Sequence, residues 1–96
     1  MRPSTALANQ RAAVRAATEK FRAANPRIFG SVLKGTDQEG SDLDILVDAL
    51  PGTTLFDLGG LQVSLEQLLG VRVDVLTPGD LPASFREAVL TEAQPI

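Results

Sequence analysis

Three observations predict an α/β (α+β) domain with a small mixed sheet flanked by helices. Two short segments, LDILVD (43–48) and VRVDVL (71–76), alternate apolar and polar residues as half-buried strands do. Between them Leu58, Leu61, Leu65 and Leu68 recur at helical spacing. At 96 residues, 44% hydrophobic and 22% charged, the chain suits one domain (taken as 1–96) and is far from a disordered composition. A chain this short buries a modest core, so homo- or hetero-oligomeric support is expected.

The elements follow in order. Residues 4–24 read as one helix, because Leu7, Val14 and Phe21 recur at intervals of seven with Ala17 beside them. Ser4 or Thr5 can cap its start, and Asn25-Pro26 stops it, since the residue before proline avoids helical geometry. Residues 27–33 (RIFGSVL) read as a strand broken at Gly30-Ser31, and 34–41 (KGTDQEGS) as loop. In the strand 43–48, Leu43, Ile45 and Val47 face one way and Asp42, Asp44 and Asp48 the other. The second helix spans 54–69 and stops at Gly70; Gly59-Gly60 inside it marks close backbone packing or a later start. In the strand 71–76, Val71, Val73 and Val75 point inward, with Arg72, Asp74 and Leu76 opposite. Pro82 opens a last helix carrying Phe85, Ala88 and Val89.

Composition removes whole classes of chemistry. With no Cys and no His there is no thiolate or imidazole ligand, no Ser–His–Asp triad and no cysteine nucleophile. Catalysis has to use carboxylates, hydroxyls, Lys/Arg and backbone amides. The net charge of −3 is uneven: residues 1–34 sum to +6 and residues 35–96 to −9. Direct nucleic-acid binding is therefore not expected, although the basic first third can meet an acidic partner. The opening MRPSTALANQ has no apolar core of signal-peptide length, and no run approaches the roughly 20 residues of a membrane span. A cytoplasmic location is expected.

Asp42 and Asp44 stand two residues apart and so project from one face of their strand. Two carboxylates about 4 Å apart repel by about 4 kcal/mol at an effective dielectric near 20. A divalent cation turns that repulsion into binding, and an oxygen-only donor set implies Mg²⁺ or Mn²⁺. Asp74, on the polar face of the other strand, completes the site if the two strands are neighbours. Upstream, Gly30-Ser31 and Gly35 form a turn whose amides and hydroxyl suit a polyphosphate. Neither a Walker P-loop nor an EF-hand pattern occurs.

The run GSVLKGTDQEGSDLDILVD (30–48) resembles the G-S-x-x-x-G…S-D-x-D-[LI]-L-V signature of the minimal nucleotidyltransferases in the polymerase-β-like superfamily, and VRVDVLTPGDL (71–81) resembles the strand with their third carboxylate. The resemblance covers about residues 28–80. It implies the polymerase-β-like nucleotidyltransferase fold and an Mg²⁺-dependent transfer of AMP from ATP. Asp42, Asp44 and Asp74 would be catalytic and would hold two Mg²⁺ ions, with Asp74 also able to activate the incoming hydroxyl. Gly30, Ser31, Lys34 and Ser41 would bind the nucleotide. Members often have Arg where Lys34 stands, and lysine loses the bidentate fork toward phosphate. The acceptor it implies is a hydroxyl of a partner protein, a tyrosine of a helical HEPN-domain toxin, which makes the chain an antitoxin. The alternatives are an antitoxin acting by contact alone and a transferase for a small molecule such as an antibiotic.

Overall fold

The fold is organised around one central strand with an apolar face. In the computed structural model, which describes residues 1–96, β2 (Leu43–Ala49) holds Leu43, Ile45 and Val47 at zero exposure on one face, as the alternation predicts. Leu46, on the carboxylate face, is equally buried, which alternation alone did not predict. A 3-10 turn at Pro78–Asp80 packs on β2 and leads into buried Leu81.

Three further strands complete a mixed sheet of order β3-β2-β1-β4. β1 (Ala23–Phe29) runs antiparallel to β2, β3 (Val73–Leu76) runs parallel to β2, and β4 (Gln94–Pro95) adds two residues antiparallel to β1. A parallel pair needs a long crossover. That crossover is α4 (Leu55–Leu69), whose Leu61, Leu65 and Leu69 enter the core. Thr54 and Asp57 close its start reciprocally: the Asp57 amide donates to Thr54 Oγ1 at 3.2 Å and the Thr54 amide to Asp57 Oδ2 at 2.9 Å. Gly70 ends it in the left-handed conformation, as predicted.

The first third departs from the sequence reading. The single helix expected over 4–24 is two, α1 (Pro3–Ala8) and α2 (Arg11–Lys20), broken at Asn9-Gln10. The cap expected from Ser4 or Thr5 is replaced by Pro3 in the first turn, while the Ser4 amide donates to Asp37 Oδ2 at 2.9 Å. Leu7 and Val14 are nonetheless both buried, so the heptad spacing reported the shared core face and not helix continuity. α2 ends in a tight reversal with Arg22 at φ +62°, and β1 then runs straight through Asn25-Pro26. A bulge between Ala24 and Arg27 accommodates them: Asn25 takes φ +51°, and the proline's missing N–H falls where the ladder is interrupted.

The strand expected over 27–33 stops at Phe29, because Gly30 turns the chain at φ +74° into the short α3 (Ser31–Lys34). The strand expected from Val71 begins at Val73. The last helix, α5 (Ala83–Glu92), forms after Pro82 but buries none of its residues, and Phe85 is 48% exposed. No helix is long and apolar enough to cross a membrane.

Candidate active site

The carboxylates meet through strand register. In the parallel β2–β3 ladder Asp44 lies directly opposite Asp74, and on the other side Asp44 lies opposite Phe29, the residue before Gly30. The pairing is pinned at its start by the Leu43 amide, which donates to the Arg72 carbonyl at 2.9 Å. Three segments remote in sequence thus converge at one end of the sheet: the β1–α3 turn, the start of β2 and the start of β3.

Gly30 is required by this convergence. A Cβ there would collide with the Asp44 carboxylate, and the positive φ disfavours any side chain. Behind the turn, the Lys34 amide donates to the Gly30 carbonyl at 3.1 Å and the Thr36 amide to the Ser31 carbonyl at 3.0 Å. Lys34 closes α3 with its side chain exposed. Ser41 Oγ accepts the Gln38 amide at 2.9 Å, so this hydroxyl shapes the loop ahead of Asp42.

The electrostatics are those of crowded like charges. Burial pushes the Asp44 carboxyl up to about 6, helped by the charges of Asp74 and Asp42 and by its hydrogen bond with Asp74. Asp42 lies close to a cation: Arg72 Nε is 2.9 Å from Asp42 Oδ1, an ion pair without hydrogen-bond alignment that leaves this buried oxygen otherwise unpartnered. The three aspartates do not stand as a ready three-ligand set in this structure. Their chemistry still fits a hard divalent cation: every donor is oxygen, Asp44 carries unrelieved repulsion, and Asp42 has an orphaned lone pair.

Asp48, the third acid on this strand face, is committed elsewhere. Arg27 NH2 donates to its Oδ1 at 3.1 Å and Asn25 Nδ2 to its Oδ2 at 2.8 Å, and these bonds hold its carboxyl below the usual range.

Two contributors were missed in the sequence. Asp37 read as solvated loop, yet it is buried and ties the loop to α1 through Ser4 and through Arg2, whose NH2 lies 3.2 Å from Oδ1; the Ser4 amide above all holds its carboxyl low. Arg72 was placed on the face of Asp74, and a lone cation beside an acidic strand was the available signal that it pairs there. A cavity of about 360 Å³ bordered by Gly40, Ser41, Gly70 and Arg72 flanks this end of the sheet. A cavity of about 380 Å³ between α2 and β1, lined by Arg15, Glu19, Asn25 and Leu50, includes none of the three aspartates.

The sequence profile of the nucleotidyltransferase domain matches residues 11–96. The protein adenylyltransferase MntA of Thermococcus cleftensis is 38% identical over 74 residues, covering 77% of this chain and 75% of the relative. A solved structure named as a minimal nucleotidyltransferase superposes with a TM-score of 0.87 at 43% identity, covering 97% of this chain and 95% of that one. A toxin–antitoxin crystal structure with AMP-PNP shares the fold, with a TM-score of 0.70 at 22% identity over 83% of this chain and 66% of that one. The chain belongs to the nucleotidyltransferase domain family and, within it, to the minimal nucleotidyltransferases of the polymerase-β-like superfamily.

Proposed function

We propose that this chain transfers AMP from ATP to a hydroxyl of a partner protein, a tyrosine of a HEPN-domain toxin, and so acts as an antitoxin. The observation that carries the reading is the facing pair Asp44 and Asp74 on adjacent parallel strands, with Asp42 two residues before Asp44. Asp42, Asp44 and Asp74 would hold Mg²⁺, which when bound neutralises charge at the α-phosphate and on the leaving pyrophosphate.

The chain's own residues do the rest. Gly30, without a side chain, admits a phosphate against its backbone beside Asp44, and Ser31 adds a hydroxyl donor. Lys34 supplies a point charge to the triphosphate, and Ser41 sets the loop that delivers Asp42. The acceptor oxygen forms its bond to the α-phosphorus as the bond from that phosphorus to the α–β bridging oxygen breaks. Pyrophosphate leaves, and the acceptor's proton passes to Asp74, which is exposed to an incoming group. A protein acceptor suits this 96-residue domain, because such a partner brings its own surface to the site. The relative named a protein adenylyltransferase and the fold shared with a toxin–antitoxin structure containing AMP-PNP support the same choice.

The test incubates host lysate with α-labelled ATP and Mg²⁺ and either the wild-type chain or Asp44→Asn. One labelled protein band that needs Mg²⁺ and disappears with the variant is the expected result. No labelled protein, with the purified chain still binding the HEPN toxin, would replace this reading with neutralisation by contact alone.

A further inference from the structure

Arg72 is one of two basic residues after Lys34, in a stretch of net charge −9, and it sits two positions before Asp74 on the site side of the sheet. Its backbone and side chain both serve the site's geometry. The carbonyl accepts the Leu43 amide at 2.9 Å, NH2 donates to the Gly40 carbonyl at 3.2 Å, and Nε lies 2.9 Å from Asp42 Oδ1. The guanidinium therefore joins the loop before β2 to the first carboxylate of the proposed site. Its side chain is 75% exposed, so nothing but these two contacts holds it there.

We propose that Arg72 is the resident counter-ion of Asp42, occupying that carboxylate in the metal-free protein and yielding it when a divalent cation binds. The proposal rests on the reading of Asp42, Asp44 and Asp74 as the cation site. Three observations support the exchange. Asp42 Oδ1 is buried and has no hydrogen bond, so the pair is electrostatic and lacks the alignment that would make it costly to open. With Asp42 paired to Arg72, the three aspartates form no ready ligand set. Without that pairing, a third carboxylate would stand uncompensated beside Asp44 and Asp74, which already face each other across the β2–β3 ladder. Release needs no backbone movement, because the exposed side chain can swing into solvent while its carbonyl keeps the β2–β3 register.

The experiment is a Mn²⁺ titration of the full chain, followed by the electron paramagnetic resonance of free Mn²⁺, on wild type, Arg72→Gln, Asp42→Asn and the double variant. Metal-free melting temperatures are taken alongside. An exposed ion pair is weak, so Arg72→Gln is expected to tighten Mn²⁺ binding about two- to five-fold. It should also melt below wild type in metal-free buffer. In the Asp42→Asn background the same change should have no effect on Mn²⁺ affinity, because the pair is already broken. An equal gain in both backgrounds would mean simple loss of a positive charge and would overturn the exchange, as would unchanged or weaker binding in Arg72→Gln. If wild type itself binds no Mn²⁺, the cation site is wrong and the proposal falls with it. If wild type binds and Asp44→Asn does not, the site stands and the double-variant comparison alone decides on Arg72.

Discussion

Asp44 sits where the proposed function and stability disagree. Half-buried and facing Asp74, it holds its proton up to about pH 6, against an ordinary value of 3.8. The folded chain thus binds this proton more tightly than the unfolded one. The contribution to stability is complete below pH 3.8 and is lost as pH rises through about 6. Asp37 and Asp48, both held low by hydrogen bonds, work the other way and lose their contribution as pH falls. Asparagine at 44 removes the repulsion at neutral pH. After allowing for solvent screening, the gain is about 1 kcal/mol, which is roughly 4–8 °C for a domain this size. Asp44→Asn is therefore expected to melt above wild type at pH 8 in metal-free buffer, and level with it at pH 4. Calorimetry at the two pH values checks this; a gap of the same size at both would show that the crowded carboxylate is not its source. The sequence carried the Asp42-x-Asp44 spacing and the polar face of Asp74 in plain view. The opposition of Asp44 and Asp74 was conditional on strands 30 residues apart being neighbours, and the capture of Asp42 by Arg72 depends on a loop conformation that no local pattern encodes.

Among the elements, α4 was the most legible, because its leucine spacing and Gly70 are local signals that the tertiary structure leaves intact. The single long helix expected in the first third is absent for the complementary reason. Heptad spacing records which face meets the core, and α1 and α2 share that face across a break. Asn25-Pro26 reads as a stop because the bulge that lets a strand pass through it needs a partner strand to be recognised. The paired glycines of α4 separate two causes that sequence could not. A Cβ on Gly60 would fall 2.7 Å from Phe21 Cε1, whereas one on Gly59 would meet nothing within 4 Å. Alanine at an exposed helix interior gains about 0.5–1 kcal/mol over glycine. Gly59→Ala is expected to raise the melting temperature by a few degrees, and Gly60→Ala to lower it by displacing the Phe21 ring. Thermal melts of the two single variants test this, and a stabilised Gly60→Ala would mean that Phe21 yields at no cost. The same helix also guards the sheet. Glu66 Oε2 accepts the Val73 amide at 3.2 Å and Gln62 Oε1 the Val75 amide at 3.1 Å. Side chains one turn apart thereby satisfy the outward amides of edge strand β3, which would otherwise be open to pairing with another chain.

At the scale of the molecule, strand order decides where rigidity lies, and strand order is what the linear pattern of helices and strands could not supply. β2 is flanked by β1 on one side and β3 on the other, and its residues Leu43, Ile45, Leu46 and Val47, on either side of Asp44, all have zero exposure. The carboxylate bearing the most repulsion is therefore mounted on the best-held strand, and the rest of the fold offsets its cost. Stability thins toward the end of the chain. α5 buries no residue, and its visible ties are the Arg86 guanidinium on the Leu81 carbonyl at 2.8 Å and a two-residue strand beyond it. Local opening free energies follow such differences in burial and hydrogen bonding. Amide hydrogen exchange is expected to be slowest in β2 and the core turns of α4, and to reach α5 orders of magnitude sooner, through an opening that leaves Asp44 and Asp74 in register. Mass spectrometric exchange at peptide resolution can compare residues 43–49 with 83–92 directly. Equal protection of both would mean that α5 opens only with the whole fold, and would make it part of the frame that holds the carboxylates rather than a segment free to rearrange around them.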